Sequence, residues 1–215
     1  MELELLSLNV GRARVIGHVH GEEVRSGIAK QSVTAPVFVT ALGISGDEQA
    51  DLSVHGGPDK AVYAYPSDHW RWWQEEKNLL CGPATFGENL TLAGATEENV
   101  AIGDQFQWGE ALLEISRPRS PCFKLAIHTH RPDVPGIMTH TARCGWYLRV
   151  LREGRAQAGS VLTRVRSRQG ISVRDCFAVL TYPDADLDLV RRGYAQPELA
   201  RSCRATLAKK LRLNP

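Results

Sequence analysis

Short runs of β-branched and aromatic residues, separated by turn residues, fill the first two thirds of the chain. Segments 4–10 and 15–20 are two such runs, and the glycine between them predicts a hairpin. Segments 105–108 and 111–116 predict a second hairpin that turns at Gly109. Many short strands with closely spaced turn signals are typical of a β-barrel-like domain.

Helical patterns are sparse in this first part and dominate the end of the chain. One helix is predicted from Ser67 to Lys77, with Trp70 and Trp73 on one face as core anchors. After residue 168 three further segments each begin with a helix-start residue. These segments are 172–182, 184–193 and 197–213.

The charged residues are unevenly distributed along the chain. The chain has 215 residues, of which 43% are hydrophobic and 23% charged, so it can bury a globular core. The net charge is only +2, yet residues 164–215 carry 11 Lys and Arg against 5 Asp and Glu. We therefore predict a mainly β fold: a β-barrel-like domain with a few helices over residues 1–167, followed by a small three-helix C-terminal domain over residues 168–215.

The beginning of the chain and its cysteines indicate the compartment. The first residues, Met1-Glu-Leu-Glu-Leu, contain no basic region of a signal peptide, and no apolar run approaches the roughly 18 residues that span a membrane. We therefore expect a cytoplasmic protein without a membrane partner. Five cysteines without a C-x-x-C pair argue against a disulfide framework, a zinc ribbon or an iron–sulfur site.

The segment Arg117-Pro-Arg-Ser-Pro-Cys-Phe-Lys124 contains the most informative cysteine. Cys122 follows a predicted strand, and Arg117, Arg119 and Lys124 lie within five residues of it. Nearby cations favour the thiolate, which is the form that ligates metals or attacks electrophiles. A small buried apolar cysteine is the alternative reading, and the residues alone leave the two even.

Three glycine-containing segments are further candidates for contact with a ligand. Glycine permits positive φ and close approach of the backbone. Each segment also carries polar side chains, although each could equally form an ordinary tight turn. The segments are His55-Gly56-Gly57-Pro-Asp-Lys60, Ser26-Gly-Ile-Ala-Lys30 and Phe86-Gly-Glu-Asn89.

Read in order, these segments resemble the MOSC domain family over roughly residues 24–165. The tail is similar to the small three-helix domain that follows MOSC in one bacterial branch, the YiiM-like proteins. The resemblance rests on Gly43-Ile-Ser-Gly-Asp47, Gln49 to Gly57, Asp59 to Tyr65, Phe86-Gly-Glu-Asn-Leu90, Ile102-Gly-Asp104 and Pro118-Arg-Ser-Pro-Cys122.

The resemblance implies a β-barrel with a cleft that holds molybdopterin and its molybdenum, with Cys122 as the protein ligand to the metal. A soft thiolate suits such a metal. His55 and Asn89 would line the substrate side, His55 as the candidate proton donor. The residues expected to hold the anionic cofactor are Arg119, Lys124, Lys60, Lys30, Ser26, Gly56 and Gly57.

The activity that the resemblance implies is a two-electron, molybdenum-dependent reduction of small N-hydroxylated compounds. The chain has no dinucleotide fingerprint, so we expect a separate flavin or iron–sulfur reductase as electron donor. The basic tail could dock that donor, although solvated charges explain it equally well. The alternative function is non-catalytic: binding or delivery of the cofactor, or sulfur transfer on Cys122.

Two alternative hypotheses are a zinc site and a tail that binds nucleic acid. Cys122, His128 and His130, or the pair His18 and His20, could belong to a zinc site, but no C-x-x-C or H-x-x-x-H spacing supports one. A helix-turn-helix role of the tail in nucleic-acid binding lacks a clear set of base-reading side chains. The sequence is compatible with a monomer or a homodimer.

Overall fold

The computed structural model describes residues 1–51 and 56–213, and within these ranges the chain forms thirteen strands and six α-helices. The strands are β1 (Glu2–Val10), β2 (Arg14–Val19), β3 (Glu22–Ser26), β4 (Gln31–Val33), β5 (Val37–Thr40), β6 (Gly43–Ile44), β7 (Val62–Pro66), β8 (Leu90–Ala93), β9 (Gln105–Trp108), β10 (Ala111–Pro118), β11 (Trp146–Arg152), β12 (Gly154–Ala156) and β13 (Val161–Arg166). The helices are α1 (Trp70–Lys77), α2 (Phe123–Thr129), α3 (Val134–Thr141), α4 (Val173–Thr181), α5 (Leu187–Tyr194) and α6 (Arg201–Lys210).

Seven strands close into a barrel in the order β13-β9-β10-β11-β7-β8-β1, and pairing of β1 with β13 completes the ring. The neighbours are antiparallel except β7 and β8, which run parallel. Strand β1 shows why these residues form a barrel wall. Leu3 and Leu5 point into the core while Glu2 and Glu4 face solvent, as the two-residue period of a strand requires. The mainly β, barrel-like fold predicted from the sequence is confirmed.

The two predicted hairpins have different outcomes. Strand β9 pairs with β10 in the predicted register, with Trp108 opposite Ala111. The hairpin predicted at Gly11 is wrong, because β1 pairs with β4, β8 and β13 while β2 pairs with β3. The Gly11 amide instead donates to Asp47 Oδ1 at 2.8 Å. Strand β2 has no fully buried residue, and Val15 and Val19 are exposed.

The predicted helices are present with shifted starts. A 3₁₀ turn, Ser67–His69, precedes α1, and Trp73 is fully buried in the core. Ser172 caps α4 by accepting from the Asp175 amide at 2.9 Å, and Asp186 caps α5. Helices α2 and α3 carry no clear apolar stripe in the sequence and are recognised only in the structure. None of the helices in the described ranges is long and apolar enough to cross a lipid bilayer.

The C-terminal helices pack directly on the barrel. Buried side chains of α4, α5 and α6 join those of the strands in one apolar cluster, which includes Ile115 of β10 and Leu207 of α6. Backbone hydrogen bonds cross the same boundary: the Ala200 amide donates to Ser116 O at 2.9 Å, and the Ile102 amide donates to Ile171 O at 3.0 Å. The division at residue 168 therefore remains a prediction about folding units, and the packing between them is continuous.

Candidate functional site

A cleft opens on one side of the barrel. Its wall comes from the loop after β3, the loop after β6, the segment before β8, the loop between β10 and α2, and the start of β11. Seven of the residues predicted for the site line this cleft. They are Cys122, Asn89, Arg119, Lys124, Lys60, Lys30 and Ser26.

Three further residues were predicted for the site: Gly56, Gly57 and His55. Gly56 and Gly57 are not among the described residues that line the cleft. Gly57, with φ of 95°, precedes the 3₁₀ turn Pro58–Lys60, and it turns the chain so that Lys60 reaches the cleft. His55 lies outside the described residues, so its role as proton donor stays a prediction.

Cys122 stands at the junction between the end of the barrel strand β10 and helix α2. Its backbone is extended, with φ of −135° and ψ of 167°, and its carbonyl accepts from the Leu125 amide at 3.0 Å in the first helical turn. The residue is half-buried. The cysteine is thus fixed between two regular elements and forms part of the cleft wall.

Arg119 is the buried cation of the cleft, with only 5% of its surface exposed. Its guanidinium lies 5.0 Å from the centre of the Tyr63 ring, and Nη1 donates to Met138 Sδ at 3.2 Å. Within residues 1–51 and 56–213, no carboxylate forms an ion pair with it. Burial lowers the pKa of Arg119, but Tyr63, Tyr147 and Cys122 raise it, and the net shift is upward.

Lys30 is the second buried cation, and its surroundings are different. Its ammonium forms a close ion pair with Asp47. Asp47 also accepts from the Gly11 amide at 2.8 Å and from Asn89 Nδ2 at 2.9 Å. Burial lowers the pKa of Lys30, although Asp47 raises it. Lys30 therefore stabilises the loop after β6, and its role in cofactor binding stays a prediction.

Asn89 lines the cleft through an amide that is already hydrogen-bonded within the protein. Its Nδ2 donates to Asp47 Oδ2 at 2.9 Å and to Asn9 O at 3.2 Å. Its Oδ1 accepts from the Tyr63 amide at 3.1 Å. Both amide hydrogens are engaged, so the structure gives Asn89 a positioning task, and direct contact with a substrate stays a prediction.

Two cations at the edges of the cleft are more open. Lys60 belongs to the 3₁₀ turn, and its pKa is lowered first by burial and then by the neighbouring Arg117. Lys124 lies in the first turn of α2 and is half-buried. Arg117, which is close to Cys122 in sequence, turns away from the cleft and donates to Ser202 Oγ of α6 at 3.1 Å. Lys60 and Lys124 thus lie at the cleft, whereas Arg117 lies at the interface with the C-terminal helices.

Glycines allow the loops around the cleft to pack against each other. A Cβ on Gly27 would lie 2.0 Å from the backbone oxygen of Glu48, so the two loops meet without space for a side chain. A Cβ on Gly87, where φ is +77°, would lie 2.3 Å from Ile28 Cγ1. The buried Glu88 accepts from the amides of Ala84 and Phe86 at 2.9 and 3.0 Å and fixes the third loop.

Two tyrosines and Asp47 belong to the cleft and were missed by reasoning from the sequence. Tyr63 and Tyr147 lie on the adjacent strands β7 and β11, with ring centres 5.3 Å apart. The sequence shows them only as strand residues, because nothing local reveals which barrel positions meet a cleft. Burial raises the pKa of Tyr147, against Arg119 and Arg117, which lower it.

The described residues do not form a zinc site of the kind considered from the sequence. No group of three or more His, Cys, Asp or Glu side chains in residues 1–51 and 56–213 is arranged to hold a metal ion. His128 Nε2 instead lies 3.2 Å from Ala84 O, and His130 ends α2 in a left-handed conformation.

Comparison with known proteins gives a consistent family match. The model of the MOSC domain matches residues 51–163. The protein YiiM of Escherichia coli strain K12 is 39% identical over 189 residues, which cover 86% of this chain and 84% of that protein.

A solved structure and a longer relative extend the comparison. The crystal structure of YiiM from Geobacillus stearothermophilus superposes with a TM-score of 0.81 at 33% identity, and covers 97% of this chain and 99% of that one. A protein of Gibberella moniliformis named "Reductase" is 39% identical over 160 residues, which are 73% of this chain and 28% of that protein. The similarity to YiiM thus includes the C-terminal helices as well as the barrel.

Proposed function

Since the chain belongs to the MOSC domain family, we propose that it is a molybdenum-cofactor-dependent oxidoreductase that reduces N-hydroxylated compounds with electrons from a separate reductase. MOSC domains are associated with the molybdenum cofactor, which is the first support for the proposal. The fungal relative named "Reductase" is the second support, since it shares 39% identity over 160 residues. The third is the chemistry of the cleft.

The observation that carries the proposal is the buried Arg119 beside Cys122. A buried guanidinium loses its hydration, which is costly unless an anion compensates it. Among the described residues, Arg119 contacts the Tyr63 ring, the Met138 thioether and the Tyr147 hydroxyl but forms no ion pair with a carboxylate. A thiolate at Cys122 together with an anionic ligand in the cleft would compensate the positive charge of Arg119.

The residues of the cleft fit the molybdenum cofactor as a group. Cys122 offers one soft sulfur ligand, which suits molybdenum. Lys124 and Lys60 lie at the wall of the same cleft, where ammonium groups attract the phosphate of a pterin cofactor.

Each protein group then has a limited task. The bound cofactor supplies the two-electron redox chemistry, while the protein orients the reactants and supplies protons. Cys122 would ligate the metal, and Arg119 would stabilise the negative charge at that position. A tyrosine keeps its proton at neutral pH even without a shift, and burial raises the pKa of Tyr147 further. Its place in the cleft wall makes its hydroxyl the second candidate donor when the N–O bond breaks and water leaves. His55 stays the proton donor predicted from the sequence.

The reaction can be tested without the natural electron donor. Protein produced in a host that makes the cofactor is mixed with reduced methyl viologen and benzamidoxime, and the formation of benzamidine is measured. We expect turnover in the wild type and none in Cys122→Ser. Tyr147→Phe is expected to lower kcat by about tenfold or more with little change in KM, since its hydroxyl acts on the reacting atoms. A wild type that retains the cofactor without reducing any N-hydroxylated compound would contradict the enzyme and favour cofactor binding or delivery.

A further inference from the structure

A second cavity lies between the barrel and the C-terminal helices, apart from the cleft around Cys122. We call it the α5–α6 groove. It is open to solvent. Its wall is formed by Asp59, Arg149, Tyr194, Pro197, Leu199, Arg201, Arg204, Ala205 and Ala208. None of these side chains has a task in the proposed reduction.

Two arginines of α6 give the groove an uncompensated positive charge. Arg201 and Arg204 are three residues apart on one helix, so both reach the same side. In the part of the chain that the structure describes, neither forms an ion pair with a carboxylate. Arg204 Nε is inaccessible to solvent and has no hydrogen-bond acceptor among the described residues. A buried N–H without an acceptor is uncommon, and it points to an acceptor that a ligand supplies.

Arg149 shows what a structural arginine in the same groove looks like. Its guanidinium donates to Asp59 Oδ1 at 2.7 Å and to Glu114 Oε1 at 2.8 Å. Two carboxylates therefore satisfy its charge within the protein. The contrast leaves Arg201 and Arg204 as the groups available to an external anion.

The remaining wall of the groove is apolar. Leu199, Pro197, Ala205 and Ala208 contribute aliphatic surface, and the Tyr194 ring adds an aromatic face. The Arg204 guanidinium lies 5.6 Å from the centre of that ring, which holds the cation at the boundary between the polar and the apolar part. A ligand that fits both parts has an anionic head and a compact apolar body.

We propose that the α5–α6 groove binds a small organic phosphate monoester, with its phosphate on Arg201 and Arg204 and its apolar body against Tyr194 and Leu199. A phosphate monoester carries close to two negative charges at neutral pH, which matches two arginines. The site is a second one, independent of the proposed reduction. Asp59 lines the groove while its neighbour Lys60 lines the cleft, so the two sites share one turn of backbone.

Calorimetric titration with phenyl phosphate tests the proposal on the full-length protein purified with the cofactor in its cleft, with inorganic phosphate and phenol as probes of the head and the body alone. We expect one binding site for phenyl phosphate, and binding of each partial probe at least about tenfold weaker. Arg204→Ala and the exposed Arg201→Ala should each weaken the binding of phenyl phosphate about tenfold or more. Circular dichroism and thermal unfolding of both variants verify that they fold.

Matched controls separate the groove from the cationic cleft. Arg192→Ala removes an exposed arginine of α5 outside the groove, and Lys124→Ala removes a cation of the cleft. Both variants should bind phenyl phosphate as the wild type does. The absence of saturable binding at millimolar phenyl phosphate would overturn the proposal. Binding that Lys124→Ala abolishes and Arg204→Ala leaves unchanged, or equal affinity for inorganic phosphate, would overturn it as well.

Discussion

At the scale of residues, the two buried cations of the cleft have different partners and therefore different tasks. Lys30 is neutralised by Asp47, whereas Arg119 has no carboxylate partner within the described ranges. Removing one member of a buried ion pair leaves an unpaired charge and costs several kcal/mol, about 3–5 in measured cases. Lys30 thus stabilises the fold of the wall, while Arg119 is available to an anion at Cys122.

The reactivity of the cysteines follows from the same surroundings. Burial raises the pKa of Cys81 to about 12 and also raises the pKa of Cys144, Cys176 and Cys203, so these thiols stay protonated near neutral pH. Cys122 has Arg119 and Lys124 beside it in the cleft, and cations favour the thiolate.

We predict that iodoacetamide at pH 7.5 modifies Cys122 at least about tenfold faster than Cys81, because alkylation requires the thiolate. Mass spectrometry of time points gives the rate at each site. Arg119→Met should slow the modification of Cys122, and Cys81→Ser should not change it. Faster labelling of Cys81 than of Cys122 would contradict this account of the cleft electrostatics.

Sequence reasoning found seven of the seventeen described residues that line the cleft, but not their partners. The cations around Cys122 are visible because they are neighbours in the chain. The pairing of Lys30 with Asp47 and the place of Tyr147 depend on contacts between distant segments, which composition and local pattern do not contain. Arg117 is also close to Cys122 in sequence, but its guanidinium contacts Ser202 of α6.

At the scale of elements, the cleft depends on loops that pack without side chains between them. Gly27 approaches the backbone of Glu48 so closely that a Cβ would lie 2.0 Å from its oxygen. Backbone cannot yield as a flexible side chain does, so a larger residue must displace one of the two loops.

Gly27→Ala is therefore expected to lower the free energy of unfolding by about 2 kcal/mol or more and to reduce retention of the cofactor. Gly82→Ala is the matched control, because a Cβ there meets no atom within 4 Å. Urea denaturation measures both variants. Equal stability of Gly27→Ala and Gly82→Ala would show that the two loops move apart easily and would contradict a rigid wall.

Helix α2 contains a histidine whose titration affects stability. Burial lowers the pKa of His128, and its hydrogen bond to Ala84 O offsets part of this shift. The unfolded chain, with a histidine pKa near about 6.5, binds more protons than the folded chain in this range. The stabilisation from His128 is fully present above the histidine pKa of the unfolded chain. It is lost as the pH falls from there through the lower pKa of His128 in the folded chain.

Acidification from pH 7.5 to 5 should accordingly destabilise the wild type more than His128→Gln. Urea midpoints at the two pH values give the comparison. His140→Gln, which replaces an exposed histidine, should behave as the wild type. A pH dependence of His128→Gln equal to that of the wild type would place the responsible group elsewhere.

Elements with a local signal were predictable, and those set by distant contacts were not. The hairpin of β9 and β10 has its turn and both apolar faces in consecutive residues. The turn at Gly11 looks equally local, yet its amide donates to Asp47 of another loop, and β2 pairs with β3 instead. Helices α2 and α3 end in left-handed residues, His130 and Ala142, which the sequence pattern does not mark.

At the scale of the whole molecule, barrel and C-terminal helices share one apolar core. Ile171, Val173 and Leu207 belong to the same cluster as the barrel residues Leu3 and Ile115. A surface of this kind, exposed on separation, would be strongly unfavourable in water.

We predict a single cooperative unfolding transition for the full chain. A fragment of residues 1–167 should lose stability or aggregate, because it exposes the apolar surface that α4 and α6 cover. Calorimetry of the full chain and of the fragment checks this. Two separate transitions, or a soluble fragment as stable as the full chain, would show that the helices form an independent folding unit.

The central claim is that Cys122 and its cations hold the molybdenum cofactor, and metal and pterin analysis tests it most directly. Wild type and Cys122→Ser are purified from a host that makes the cofactor, and molybdenum is measured by mass spectrometry and pterin by fluorescence after oxidation. We expect molybdenum and pterin near one equivalent in the wild type and loss of molybdenum in Cys122→Ser. Zinc, or no metal and no pterin in either protein, would contradict the ligand role of Cys122 and with it the proposed function.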